Sequence, residues 1–264
     1  MKIGLSSACF YPELLTENSI EFINMIGFNS GEIFLNTISE YEEDYIKKLN
    51  EEKEKYEFNV ESVHCFSSAL EPYLFEGYKR RRQDMFKYFK QVCRAAKILG
   101  AKYYTFHGMR KLDNYSIDKK FTAEIYDKLN YTALEEGVIL AQENVCWCMS
   151  SDIDYLNMLK EECRYPVKFT LDIKQAYRAG VNLEKYVETM GNDIVNVHIN
   201  DRDEHNTCLL PGKGSVDYDS LIKQLKGFGY KGNMIIEVYK DNFKENWELI
   251  DARDFLNKKL VKYI

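Results

Sequence analysis

The sequence predicts a (β/α)8 TIM barrel, an α/β fold of eight parallel strands with outer helices. Short β-branched or aromatic runs alternate with amphipathic helical patterns along the whole chain, and the alternation counts to eight. The length of 264 residues is close to the ~250 usual for such barrels. No Gly-x-Gly-x-x-Gly follows the first strand, which weighs against the alternative of an open doubly wound sheet. No linker, low-complexity segment or short-period repeat interrupts the pattern, so residues 1–264 read as a single domain.

The elements follow in order. Residues 2–8 (KIGLSSA) open as a strand, and 17–29 follow as a helix with Ile20, Ile23 and Ile26 on one stripe. Strand two is GEIFLN, 31–36, followed by a charged surface helix over 41–59. Strand three is VESVHCF, 60–66; a long amphipathic helix over 78–101 stops at Gly100. Strand four, KYYTFHG at 102–108, precedes a helix over 123–137. Strand five, VILAQENV at 138–145, precedes a helix over 152–163 with Asp152 as its N-cap. Strand six, VKFTLDI at 167–173, leads to short helices near 174–180 and 183–191. Strand seven, IVNVHIND at 194–201, leads to a helix over 217–229, and strand eight, GNMIIEVY at 232–239, to a closing helix over 245–264. All four prolines, at 12, 72, 166 and 211, fall between elements, as a parallel sheet requires.

Composition bounds the function. Apolar residues at 45% and charged residues at 30% describe an ordinary soluble protein. A net charge of −6 weighs against a nucleic-acid partner, which calls for a basic patch. The opening MKIGLSSACF lacks the apolar run of a secretory signal, and no stretch reaches the ~18 apolar residues of a membrane span. Seven cysteines without framework spacing read as reduced thiols of a cytoplasmic protein, with CWC at 146–148 serving loop and core packing.

Parallel strands buried on both faces should be nearly continuous apolar runs. Seven of these strands instead carry an ionisable residue toward their C-terminal ends: Glu32, His64, His107, Glu143, Asp172, His198 and Glu237. In a barrel those ends converge on one mouth. One such residue reads equally well as a satisfied core group. Seven together would repel or stay undersolvated without compensation, and a bound cation is the simplest compensation. Glu143, Asp172, His198 and Glu237 offer three carboxylates and one imidazole. That set suits Mn²⁺, with Mg²⁺, Co²⁺ or Zn²⁺ as alternatives, and leaves two octahedral positions to chelate adjacent substrate oxygens. A structural zinc would call for thiolates or more histidines.

These residues, with ENV, LDIKQAYRAG, VHIND, PGKGSVDY and IIEVY in order at the strand ends, resemble the xylose isomerase-like TIM barrels over essentially the whole chain. That family includes sugar and sugar-phosphate isomerases and epimerases, inosose and 3-dehydroshikimate dehydratases, and endonuclease IV. The resemblance implies a metal held by Glu143, Asp172, His198 and Glu237. It also implies a proton-transferring pair in Glu143 and Glu237, His64 and His107 lining the site, and a homodimer. The sequence departs from the pattern at Gln175, where the endonuclease and the ketose epimerases carry His. It departs again at Asn206 and Cys208, where the endonuclease carries Asp and His, and at Glu204, where ketose 3-epimerases place a substrate arginine; Arg202 stands nearby.

The resulting expectation is an isomerase or epimerase of a small carbohydrate or sugar phosphate. It would act through a metal-chelated cis-enediolate, with the two glutamates as acid and base. The same first half-reaction serves a dehydratase of an inosose or keto-polyol. An apurinic endonuclease would need three metals and a basic groove; a third alternative is a non-catalytic binding barrel. Further expected substrate contacts are Glu32, Gln175, Arg202 and Lys213. Lys213 lies in LPGKGS at 210–215, which is no P-loop: Thr207 stands where the upstream Gly belongs and Gly214 where Ser or Thr should follow the lysine. Loops after strands seven and eight often bind phosphate in barrels, so Lys213 and the N–H groups near Gly212 and Gly214 are expected at an anionic substrate. Phe10, Phe34, Phe66, Trp147 and Tyr239 are expected to be core or pocket floor, and Arg178 helix surface or anion contact.

Overall fold

In the computed structural model, which describes residues 1–111 and 117–263, eight parallel strands close into a barrel. They are β1 (Ile3–Ser6), β2 (Ser30–Leu35), β3 (Asn59–Cys65), β4 (Tyr103–Phe106), β5 (Ile139–Glu143), β6 (Lys168–Asp172), β7 (Ile194–Ile199) and β10 (Met234–Ile236). Each strand pairs with its sequence neighbours, and β1 closes the ring against β10. The outer helices are α1 (Thr16–Met25), α2 (Glu43–Lys55), α3 (Lys79–Ile98), α4 (Lys119–Glu135), α5 (Ile153–Glu162), α6 (Ile173–Arg178), α7 (Leu183–Met190), α8 (Tyr218–Gly227) and α9 (Trp247–Val261). The (β/α)8 architecture is therefore the one the sequence predicts.

One element departs from the expected pattern. The strand expected over 194–201 ends at Ile199, and the chain then makes a small antiparallel hairpin of β8 (Asp201–Arg202) and β9 (Thr207–Leu209). Strands of two and three residues are too short to leave a period-2 signature.

Two layers build the interior. The outward faces of the strands, such as Leu171, Val197 and Ile199, are buried with helix residues such as Ile20, Ile23 and Val92 in one apolar shell. Inside the ring, hydrogen bonds join strands that are not neighbours. Thr105 on β4 donates to Glu32 on β2 at 2.8 Å, and Asn196 on β7 donates to Ser62 on β3 at 3.3 Å. Such contacts are possible only through the barrel centre. At Gly31 a Cβ would lie 2.0 Å from the Leu5 carbonyl oxygen, and the register against β3 shifts between Gly31 and Glu32. This close approach lets β2 turn Glu32 inward. Among the described residues no helix is long and apolar enough to cross a membrane, and all seven cysteines lack a disulfide partner.

Candidate metal and active site

The C-terminal ends of β5, β6, β7 and β10 bring four side chains together. His198 pairs in register with Asp172 across the β6–β7 ladder and with Ile235 across β7–β10. Its Nδ1 faces Glu143 Oε1 at 3.3 Å, Glu237 Oε2 at 3.5 Å and Asp172 Oδ2 at 3.8 Å. All four residues are buried. His198 Nδ1, Asp172 Oδ2 and Glu237 Oε2 have no hydrogen-bond partner. A buried polar atom left unpaired costs about 1–3 kcal/mol, more when charged. Three such atoms, with both carboxylate oxygens within 3.8 Å of His198 Nδ1, are an arrangement a cation would satisfy, and three carboxylates with one imidazole suit Mn²⁺ or a similar borderline ion.

The local sequence explains how each side chain is held. Asp172 is the N-cap of α6: its Oδ1 accepts from the Gln175 backbone N–H at 3.0 Å, which leaves Oδ2 for the cage. In ENV, Asn144 locks the end of β6 by a reciprocal pair, accepting from Asp172 N at 2.7 Å and donating to the Asp172 carbonyl at 3.0 Å. In VHIND, Asn200 reaches both Asp172 Oδ1 and the Glu237 carbonyl at 3.4 Å. The far nitrogen of His198, Nε2, stands 3.1 Å from Glu32 Oε2. Glu32 in turn accepts from Ser62 at 2.6 Å, Thr105 at 2.8 Å and Asn196 at 3.3 Å. A carboxylate behind a ligating histidine fixes ring and tautomer.

His64 and His107 stand on the other side of Glu143. Their Nε2 atoms are 2.8 Å apart, and His107 Nε2 is 2.8 Å from Glu143 Oε2. Glu71 carries this corner: its Oε2 accepts from the backbone N–H of His107 at 2.6 Å and of Gly108 at 2.9 Å. His64, His107 and Glu143 thus form a second grouping of donor atoms that shares Glu143 with the first.

Within this cluster the side chains shift one another's ionisation. Burial alone would neutralise His198, but Glu237 and Glu32 beside it hold the imidazole protonated well above its ordinary value. Burial opposes ionisation of Glu143, yet the charges of His107 and His198 bring it well below the usual carboxylate range. Glu32 is likewise brought down to about 2 by His198 against its burial. Burial pushes Glu237 up, with His198 and Lys174 only partly offsetting it. His107 is raised, its burial outweighed by Glu143, whereas burial and the charge of His107 push His64 down to about 3.

Above the cage opens a cavity of about 340 Å³, at the lower end of the ~300–1,000 Å³ of small-molecule sites. Phe34, Phe66, Trp147 and Tyr239 supply its aromatic wall, and His64, His107, Gln175 and Glu237 its polar face. The expected substrate contacts divide. Gln175 lines the cavity, with its Oε1 taken by the Cys146 N–H at 3.1 Å. Glu32 lies in the layer below, bonded to His198, and reaches no cavity wall. Arg202 is not among the lining residues either; its guanidinium carbon sits 3.9 Å from the centre of the Tyr177 ring. Lys213 is exposed and likewise outside the cavity wall. The glycine turn is built around Asp201, whose carboxylate takes the N–H groups of Gly212 and Val216 at 2.9 Å each. Those two N–H groups are therefore spent inside the turn.

Of the residues not expected at the site, Lys174 is the most consequential. It lies two positions after Asp172, its side chain is 2% exposed, and its Nζ is 3.3 Å from Glu237 Oε1 and 3.4 Å from Asp172 Oδ2. Ser62, Thr105 and Asn196, which seat Glu32, were also not anticipated.

A model of the xylose isomerase-like TIM barrel matches residues 20–259. The chain belongs to the xylose isomerase-like TIM barrel family. Among solved members of this fold, a D-tagatose 3-epimerase-like protein superposes with a TM-score of 0.82 at 22% identity, covering 98% of this chain and 97% of its own. The IolI protein, solved with a bound zinc atom, gives 0.79 at 19% identity over 100% and 99% of the two chains. Among sequences, an uncharacterised Methanocaldococcus jannaschii protein is 26% identical, covering 99% of this chain and 92% of its own. Inosose isomerase of Bacillus velezensis is 25% identical over 182 residues, 64% of this chain and 63% of its own.

Proposed function

We propose that this family member is a divalent-metal-dependent isomerase or epimerase of a small sugar or sugar phosphate, with Mn²⁺ as its ion. The observation that carries the reading is the convergence of Glu143, Asp172 and Glu237 on the unpartnered Nδ1 of His198, beside a sugar-sized cavity that Glu237 lines. A divalent ion held by these four residues would supply positive charge to a substrate carbonyl and its neighbouring hydroxyl and so acidify the C–H of the hydroxyl-bearing carbon. Solved relatives described as an L-ribulose 3-epimerase and a D-psicose 3-epimerase with D-tagatose support the substrate class.

The chain's own residues supply the rest. Glu143 ends β5 and Glu237 follows β10, two strands separated in the ring by β6 and β7. In this reading one carboxylate takes the proton from one side of the substrate, and the other returns a proton from the opposite side. Return to the same carbon gives an epimer, and return to the neighbouring carbon gives an aldose–ketose isomer. Phe34, Phe66, Trp147 and Tyr239 keep bulk water from the enediolate.

The test is solvent exchange. The Mn²⁺-loaded protein is incubated in D₂O with ketoses, ketose phosphates and inososes, and NMR is used to look for deuterium beside the carbonyl. Metal-dependent incorporation is expected, and the labelled carbon tells isomerase from epimerase. No exchange across the panel with the metal bound would overturn the reading. Glu143→Gln and Glu237→Gln are each expected to lower exchange by at least ~10³-fold. Undiminished exchange in either variant would remove that carboxylate from the mechanism.

A further inference from the structure

Among the described residues, Lys174 is the only lysine or arginine that lines the cavity. Its ammonium lies against two of the three cage carboxylates and 4.8 Å from the centre of the Tyr239 ring. An ammonium has three N–H donors, and Glu237 Oε1 takes one of them, at 3.3 Å. Lys174 is therefore a fixed positive charge with donor capacity left over, within one side chain of the place where substrate must react.

Charge balance points to what that capacity serves. On the cavity side the three cage carboxylates face Lys174 and a divalent ion, which would offset them, while the fourth carboxylate, Glu32, lies behind His198 and outside the cavity wall. The same loaded cage without Lys174 would keep one negative charge and repel an anionic ligand. With Lys174 that charge is offset on the cavity side, and an anion can approach the ion beside the ammonium.

We propose that Lys174 is a specificity residue that binds a carboxylate of the substrate, placing a sugar acid or keto acid, beyond a neutral sugar, among the ligands of this site. The position selects carboxylate over phosphate. Lys174 touches the cage, so a group one or two bonds from the chelated oxygens reaches it, whereas the phosphate at the far end of a sugar, as in an aldopentose 5-phosphate, ends several bonds away. The proposal rests on the metal-cage reading above.

The experiment uses the Mn²⁺-loaded protein and three probes measured by calorimetry: D-arabinonate, D-arabinitol and D-arabinose 5-phosphate. Arabinonate is expected to bind at least about tenfold tighter than the other two, the scale of one charge-assisted hydrogen bond. In Lys174→Met that preference is expected to fall to about twofold or less. Mn²⁺ itself should bind the variant more tightly, because a competing cation has been removed from the cage.

Equal binding of arabinonate and arabinitol by the wild type would overturn the proposal whether or not the variant folds. Tighter binding of the phosphate than of the acid would overturn the choice of carboxylate. A preference for the acid that survives in Lys174→Met would assign it to the metal alone and overturn the role of Lys174. The wild-type Mn²⁺ isotherm reads the cage independently: without Mn²⁺ binding the cage reading falls and this proposal falls with it, whereas Mn²⁺ binding without a preference for the acid overturns this proposal alone.

Discussion

The two ring nitrogens of His198 have opposite surroundings: Nε2 meets one buried carboxylate, and Nδ1 faces three. At the scale of residues, the site turns on this difference. Glu32 orients the ring without reaching the cavity, so it is a positioning residue, and Glu32→Gln is expected to weaken Mn²⁺ binding by ~10–100-fold. Calorimetric titration would show this, and an unchanged affinity would dismiss the positioning role. His198 also sets a pH dependence. Its folded value is raised well above the ordinary one, so its contribution to stability is complete below about pH 6.5 and lost as pH rises through the folded value. Metal can bind Nδ1 only after its proton leaves. Mn²⁺ binding at neutral pH is therefore expected to release about one proton per site. The check is calorimetry in buffers of different ionisation enthalpy, and a buffer-independent heat would contradict it.

At the scale of elements, short motifs at strand ends work as locks between neighbouring strands. Asn144 directly follows β5 and fixes both the backbone N–H and the carbonyl of Asp172 at the end of β6. Asn144→Ala would remove both of these buried bonds, and a loss of about 1–3 kcal/mol is expected. Urea unfolding of the metal-free protein measures it; a loss under ~0.5 kcal/mol, the range of surface changes, would show that water or relaxation replaces the lock. The glycine turn after β9 is organised in the same way around Asp201. This is why it resembles a phosphate loop in sequence yet directs its N–H groups inward.

At the scale of the whole molecule, the barrel stores like charges at its C-terminal mouth. Folding brings Glu143, Asp172 and Glu237 together, and the unfolded chain does not. A divalent ion that binds only the folded form therefore stabilises it by mass action, by about 2.7 kcal/mol at a hundred times its dissociation constant. Chelator-treated protein is expected to melt lower than Mn²⁺-loaded protein by several degrees, and scanning calorimetry would decide it. Equal melting temperatures at saturating Mn²⁺ would mean that the cage binds no ion.

The sequence by itself determined the barrel and the acidic mouth. Strand and helix periods are local, and an ionisable residue at the end of an otherwise apolar parallel strand stands out because both faces of that strand must be buried. Glu143, Asp172, His198 and Glu237 were legible for this reason, as were His64 and His107. Tertiary structure alone decided the rest. Ser62, Thr105 and Asn196 look like ordinary strand residues, and only barrel closure shows that they seat Glu32. Lys174, in the first turn of a helix, reads as a surface lysine until β10 carries Glu237 to within 3.3 Å of it. Arg202 and Lys213 looked like substrate contacts because they follow strand seven, yet the hairpin and the Asp201-centred turn set them outside the cavity wall. Local sequence fixes which groups each strand end offers; which of them meet depends on contacts between residues far apart in the chain, and those exist only once the ring is closed.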